Sequence, residues 1–231
     1  MISALLFDVD GTITDTAGAG KAALGPAMME VYGETGPIET FDFHGKTDPE
    51  IVRGLLTAIG RDDSHVDHGL PALWPVYLGR LAAVLDELGD RATPLAGVIG
   101  LLDRLAGDGR FVLGLVTGNL EQGARLKLAA AGCAGRFEFG GFGSDAESRA
   151  DLPSVALARA SARFGHAFQA ADAVVIGDTP ADIHCARVAG ARVLAVATGR
   201  HSVAELAAHA PDAVMPDLTG TDRVMEFLLD G

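Results

Sequence analysis

The stretch Ala4-Leu5-Leu6-Phe7-Asp8-Val9-Asp10-Gly11-Thr12 passes from an apolar run into two carboxylates and a glycine. The apolar part reads as a buried strand, and the residues after it read as the turn that ends it. Open α/β sheets gather their chemistry outside the carboxyl ends of the strands, which is where this turn falls. Side chains alternate along extended chain, so Asp8 and Asp10 converge on one site while Val9 points away. Paired carboxylates support a division of labour in which one attacks an electrophile and the other moves the proton of a leaving group or of water. Gly11 permits a sharp turn that brings N–H groups close to an anion, and the Thr12 hydroxyl adds a hydrogen bond.

Working outward, apolar β-branched runs at 111–116, 137–139, 173–176 and 192–196 alternate with helical segments. That alternation predicts a doubly wound parallel sheet of the α/β class. Roughly a hundred residues separate the first strand from the second, far more than a βαβ crossover needs. An insertion is therefore expected: a helical cap over 17–92, with the core formed by 1–16 and 93–231, joined by linkers near 14–20 and 90–97. Within the cap, Thr47-Asp48-Pro49-Glu50 has the form of a capping box, followed by an apolar stripe of Ile51, Val52, Leu55, Leu56 and Ile59. Leu78, Leu81, Ala82, Leu85 and Leu88 predict a second stripe.

The 231 residues are 48% apolar, enough for a buried core. The formal net charge of −13 argues against nucleic acid or an anionic membrane as partner. An anionic substrate would have to be drawn in by a metal ion and a few local cations, and Lys21, Lys46 and Lys127 are the only lysines. Cys133 and Cys185 are too few for a disulfide framework and read as small core residues in a reducing compartment. With no leader pattern and no run of eighteen apolar residues, a cytoplasmic monomer or homodimer is expected.

Two later strand ends carry further chemistry. Thr117-Gly118-Asn119 reads either as a helix cap, with Gln122, or as a phosphate grip of hydroxyl, amide and backbone N–H groups. In Gly177-Asp178-Thr179-Pro180-Ala181-Asp182, helix capping accounts for Thr179, Pro180 and Asp182. Capping leaves Asp178 unexplained. A hard cation beside Asp8 would use such an oxygen ligand.

Strand ends bearing Asp-x-Asp-Gly-Thr, Thr-Gly-Asn and Gly-Asp-x-x-x-Asp, in that order, resemble the haloacid dehalogenase superfamily, specifically its phosphoglycolate phosphatase-like members with a helical cap. The resemblance implies an aspartyl-phosphate mechanism with Asp8 as nucleophile and Asp10 as general acid and then base. It implies phosphate binding by Thr117 and Asn119, with Gly118 and Thr12 beside them. Mg2+ would be held by Asp8, the Asp10 backbone carbonyl and Asp178, with Asp182 in support. The family usually has a lysine between the second and fourth motifs. Here that region reads Ser148-Arg149-Ala150-Asp151-Leu152-Pro153, so Arg149 stands either as a substitute cation or as a solvated loop residue. His44-Gly45-Lys46-Thr47 resembles the specificity loop of the cap. His65, His68 and His184 read as non-ligands, and Met28 and Met29 as packing residues.

The expected function is a magnesium-dependent phosphatase acting on a small phosphorylated metabolite of the phosphoglycolate or sugar-phosphate type. A phosphomutase of the β-phosphoglucomutase type, which would use the same two aspartates, is the alternative. Asp10 argues against a dehalogenase or a phosphonate hydrolase. A phosphoacceptor signalling domain is more remote, because its acceptor lies on a later strand and it has no such insertion.

Overall fold

The structure, a computed structural model, describes residues 2–230. Strand β1 (Ser3–Phe7) is the centre of the molecule and is buried from Ala4 onward. It pairs in parallel with β4 (Phe111–Thr117) on one side and β6 (Ala173–Gly177) on the other. With β5 (Phe139–Phe142), β7 (Arg192–Val196) and β8 (Ala213–Met215), the sheet order is β5-β4-β1-β6-β7-β8, all parallel. The chain builds outward from β1 to one edge and then crosses to the other side, so the switch point lies between β1 and β6.

Both faces of β1 are covered, as continuous apolar strands require. Leu5 and Phe7 pack with α4 (Val98–Ala106) and α8 (Thr221–Leu229), while Ala4 and Leu6 pack with α6 (Leu152–Phe164) and α7 (Pro180–Ala189). A third cluster joins α1 (Ala19–Tyr32), α2 (Asp48–Thr57) and α3 (Asp63–Leu88) of the inserted cap. Core helix α5 (Glu121–Ala130) contributes to both regions. Its Ala124 and Leu128 face the sheet, whereas Leu126, Ala130 and the preceding Leu120 pack in the cap cluster.

Several elements differ from the sequence expectation. The strand expected at 137–139 lies at 139–142, across Gly140 and Gly141. A Cβ on Gly141 would sit 2.1 Å from the Leu152 carbonyl oxygen of α6, and one on Gly140 3.0 Å from Leu115, so close packing explains glycines that strand propensity disfavours. The buried stripe of α3 is Val66, Leu73, Tyr77, Leu81 and Leu85, and Leu78, Ala82 and Leu88 are only half-buried. Pro71 and Pro75 lie inside this helix at exposed positions, upstream of the stripe expected from Leu78 onward. Ile59 falls beyond the end of α2 and is exposed, and Met29 is exposed where Met28 is buried. The two linkers form a small antiparallel ribbon, β2 (Thr14–Asp15) with β3 (Thr93–Pro94), in which the Thr14 hydroxyl donates to the Thr93 carbonyl at 2.8 Å. Strand β8 is a further element that the sequence reading lacked. Among the described residues, no helix is long and apolar enough to cross a membrane.

Leu81 is fully buried in the cap cluster. Leu81→Ala is expected to destabilise the protein by about 2–5 kcal/mol, the range for such a cavity, measured by urea unfolding. A loss below about 0.5 kcal/mol, the level of an ordinary surface change, would contradict the described packing.

Candidate active site

The carboxyl ends of β1, β4 and β6 open into a cavity of about 750 Å³ between core and cap. Asp8, Asp10, Thr117, Gly118, Asn119, Lys127, Arg149 and Asp178 line it from the core, and Lys21, Phe41, His44, Gly45, Lys46 and Tyr77 from the cap. Residues as far apart as Asp8 and Arg200 meet here because parallel strands end on one side of the sheet.

Asp8, Asp178 and Asp182 form a buried acidic cluster, each offering an oxygen within 4.8 Å of the others. Arg149 supplies a buried countercharge. Its guanidinium lies 3.0 Å from Asp8 Oδ1 and donates to Asp182 Oδ1. Arg149 is thus no solvated loop residue; a short 3-10 turn, Arg149–Asp151, delivers it directly before α6, whose first turn contains Pro153. Asp182 is otherwise occupied with capping α7, where its Oδ2 accepts the Thr179 N–H at 3.0 Å and hydroxyl at 2.6 Å.

Asp178 lies in a cradle of backbone. A Cβ on Gly11, whose φ is +82°, would come within 2.5 Å of Asp178 Oδ2, and one on Gly199 within 1.9 Å. Thr12 is fully buried, and its hydroxyl donates to Asp178 Oδ1 at 3.0 Å. That side chain was expected at the phosphate; its hydroxyl instead holds a carboxylate. Burial pushes the Asp178 carboxyl well up, with repulsion from Asp182 and Asp8 adding to the effect. Asp8 is also raised by burial, with Arg149 pulling the other way. Three carboxylates against one guanidinium leave excess negative charge on hard oxygen donors. Such a set fits a small divalent cation.

Asp10 stands apart from this cluster, and its carboxylate turns toward Lys127. Its Oδ2 accepts the Lys127 ammonium at 2.6 Å and the Asn119 Nδ2–H at 2.8 Å, while Oδ1 accepts a longer bond from Thr16 at 3.3 Å. Enclosure in the cleft would raise this carboxyl. The Lys127 charge and the three hydrogen bonds outweigh that and hold it below the ordinary range. Asn119 also donates to Thr117 Oγ1 and accepts from Lys127, so Thr-Gly-Asn does not cap α5 with a side chain. Lys127 went unrecognised in the sequence reading as a partner of Asp10. The available signal was a lysine on the buried helical stripe of Gly123, Ala124 and Leu128.

The cap loop is docked on these strand ends. Gly45, with φ +72°, approaches α7 so closely that a Cβ would lie 2.6 Å from Ala181 Cβ. A Cβ on Gly118 would lie 2.1 Å from the Lys46 carbonyl oxygen. The Asp48 N–H donates to the Gly118 carbonyl, and the Asp48 carboxylate accepts the Leu120 N–H, both at 2.8 Å. Burial raises the Asp48 carboxyl to about 6, with Lys127 opposing the rise. Thr47 bridges the domains, accepting the Glu50 N–H as helix cap while its hydroxyl donates to the Glu147 carbonyl. His44 binds Asp42, which Arg200 of the core also holds at 2.7 Å. Among the described residues, the acidic triad is the one cluster of metal-binding size, and it includes no histidine. His65 instead packs on the ring of Tyr32. Cys133 and Cys185 are both free and buried.

Residues 5–187 match the haloacid dehalogenase-like hydrolase family. The chain is 32% identical over 186 residues to a phosphoglycolate phosphatase of Xylella fastidiosa, covering 80% of this chain and 76% of that protein. It is 28% identical over 228 residues to a phosphoglycolate phosphatase of Nitrosospira multiformis, covering 97% and 96%. A solved hydrolase from Pseudomonas syringae shares the fold, with a TM-score of 0.69 at 18% identity and 99% of each chain covered. The family match spans the strand ends that build the cavity, and the chain belongs to the haloacid dehalogenase-like hydrolases.

Proposed function

We propose that this chain is a magnesium-dependent phosphomonoesterase for a small phosphorylated metabolite, with phosphoglycolate as the first candidate from its relatives' names. The carrying observation is the opposed surroundings of two carboxylates in one cavity: Asp8 sits in the acidic cluster beside Arg149, and Asp10 is held by Lys127 and Asn119. In this reading the core comprises 1–16 and 93–231, and the cap 17–92.

The Asp8 carboxylate attacks phosphorus, and the bond from phosphorus to the ester oxygen breaks. In the substrate complex, where the negative phosphoryl group beside Asp10 opposes the pull of Lys127, Asp10 carries a proton and gives it to that leaving oxygen. A water then attacks the phosphorus of the Asp8 acyl phosphate while Asp10 takes the water's proton, which releases phosphate and restores the Asp8 carboxylate and the protonated Asp10. Thr117, Gly118 and Asn119 surround the transferring group, and Arg149 balances its charge beside Asp8. Asp8, the Asp10 carbonyl and Asp178 would hold Mg2+, with Asp182 supporting Arg149 and the site. When bound, the ion supplies charge neutralisation between the nucleophile and the phosphate dianion. His44, Gly45 and Lys46, at the mouth on the cap side, would read the rest of the substrate. Cap closure over a small ester would exclude bulk water.

Phosphate release across a panel of phosphorylated metabolites tests this reading. Asp8→Asn should fold and lose turnover, and Asp10→Asn should lose roughly 10²- to 10⁴-fold, the usual range for an acid–base group. A folded Asp8→Asn protein with wild-type turnover would overturn the mechanism. Arg149→Ala should lower kcat by about 10²- to 10³-fold, the scale for one electrostatic donor, with Arg149→Lys recovering part. An unchanged Arg149→Ala enzyme would contradict its role.

Burial raises Asp8, Asp48 and Asp178 above their unfolded values, so the folded metal-free chain binds protons that the unfolded chain releases. Their contribution to stability is therefore fully present near pH 4 and is lost as pH rises through the raised values. The metal-free thermal midpoint should be higher at pH 5.5 than at pH 7.5. Mg2+ should raise it more at pH 7.5, where the carboxylates are ionised. Asp178→Asn should raise the metal-free midpoint by several degrees, at about 2–4 °C per kcal/mol for a chain of this size, and abolish the Mg2+ shift. A full Mg2+ shift in that variant would exclude Asp178 from the ion site.

A further inference from the structure

We infer that Lys127 is a positioning residue for Asp10, an inference that rests on the phosphatase reading above. The ammonium is buried at the inner end of α5, and the Asp10 side chain is 42% exposed toward the cavity. Lys127, a nearly buried part of the same cavity wall, therefore holds Asp10 from its more enclosed side. Lys127, Asp10 and Asn119 close a triangle of hydrogen bonds, with Nζ 2.6 Å from Asp10 Oδ2, Nζ 2.7 Å from Asn119 Oδ1, and Asn119 Nδ2 2.8 Å from Asp10 Oδ2.

This geometry has a consequence for the two oxygens of Asp10. Both short bonds fall on Oδ2, which leaves Oδ1, with its longer bond from Thr16, to exchange the proton with the leaving group and then with water. Asp10 lies beyond the end of β1, in a loop where its side chain would otherwise be free to rotate. A buried ammonium in turn requires a charged partner, so each ion fixes the other. The same triangle sets the Asn119 amide, whose Nδ2 also donates to Thr117 Oγ1 at 2.8 Å. The cap completes the enclosure: a Cβ on Gly20 of α1 would lie 3.5 Å from Lys127 Nζ and 3.6 Å from the Tyr77 hydroxyl oxygen. Lys127 thus spends its charge on the acid–base group, while Arg149 stands beside the nucleophile.

The test is a double-mutant cycle of Lys127→Met and Asp10→Asn with Mg2+ present, assayed on 4-nitrophenyl phosphate and on an alkyl phosphate. Lys127→Met should lower kcat at least about tenfold, part of the acid–base contribution, with KM changed less than about threefold. Its kcat/KM should fall further for the alkyl ester, whose poor leaving oxygen depends more on protonation. The double variant should be no slower than Asp10→Asn alone. Lys127→Arg, which keeps the charge, should retain more activity than Lys127→Met. Additive losses, or equal losses on both esters, would overturn the inference. The thermal midpoints of the same four metal-free proteins give a readout independent of turnover, and additive shifts there would disprove the pairing. If Lys127→Met fails to fold, Lys127→Arg and Lys127→Gln carry the same cycle. Wild-type protein that releases no phosphate from any ester would defeat the phosphatase reading, and the thermal cycle would still decide the pairing.

Discussion

Mutual repulsion among three buried carboxylates is the constraint around which this molecule is arranged. Asp8, Asp178 and Asp182 present oxygens within 4.8 Å of one another at the carboxyl end of a parallel sheet. Taking such charges out of water is costly unless partners are fixed in place. The surrounding structure reads as the set of partners: Arg149 across Asp8 and Asp182, Thr12 on Asp178, and the Thr179 amide and hydroxyl on Asp182. Gly11 and Gly199 are glycines for the same reason, since a side chain on either would occupy the place of the Asp178 carboxylate. In the proposed reading the remaining negative charge would receive a cation and, through it, an anionic ester despite a net charge of −13.

A second charge pair works in the opposite sense. Lys127 and Asp10 neutralise each other, so the proposed acid–base group is held below the ordinary carboxylate range in the free protein while its neighbour Asp8 is raised. Two aspartates two positions apart in sequence thereby acquire different chemistry. Helix α5 connects this pair to the cap. It carries Lys127 into the site and presents Leu126 and Ala130 to the cap cluster, and Asp48 of the cap accepts the N–H of Leu120 just ahead of it. Cap seating and the placement of Asp10 therefore share one helix.

Much of this was legible in the sequence because burial on both faces makes parallel strands read as continuous apolar runs, and carboxylates at their ends stand out against them. The runs at 173–176 and 192–196 match β6 and β7 to within a residue, and the acidic turn after Phe7 does open into the cavity. The failures have physical causes of a different kind. Gly141 must be glycine because Leu152 of α6 presses on it, and Gly140 because Leu115 and Phe142 crowd it, which are tertiary facts invisible to propensity. Pro71 and Pro75 sit in α3 at exposed positions, where local rules expect a break. The pairing of the two linkers and the meeting of Lys127 with Asp10 join residues 79 and 117 positions apart, and periodicity carries no information over such distances. Thr12 shows the limit of motif reading, since residue type identified a hydroxyl near the site but not the carboxylate it would bind.

The central claim is that the phosphoryl group passes through Asp8, and trapping it there is the most direct measurement. Protein turning over a phosphomonoester with Mg2+ would be quenched and treated with borohydride, which reduces an acyl phosphate to an alcohol, and its peptides mapped by mass spectrometry. The account predicts homoserine in place of Asp8 in a substrate-dependent fraction of the protein, with Asp10, Asp178 and Asp182 unmodified. Reduction at one of those other carboxylates, or at none while phosphate is released at the full rate under conditions where a competent acyl phosphate standard is trapped, would contradict it.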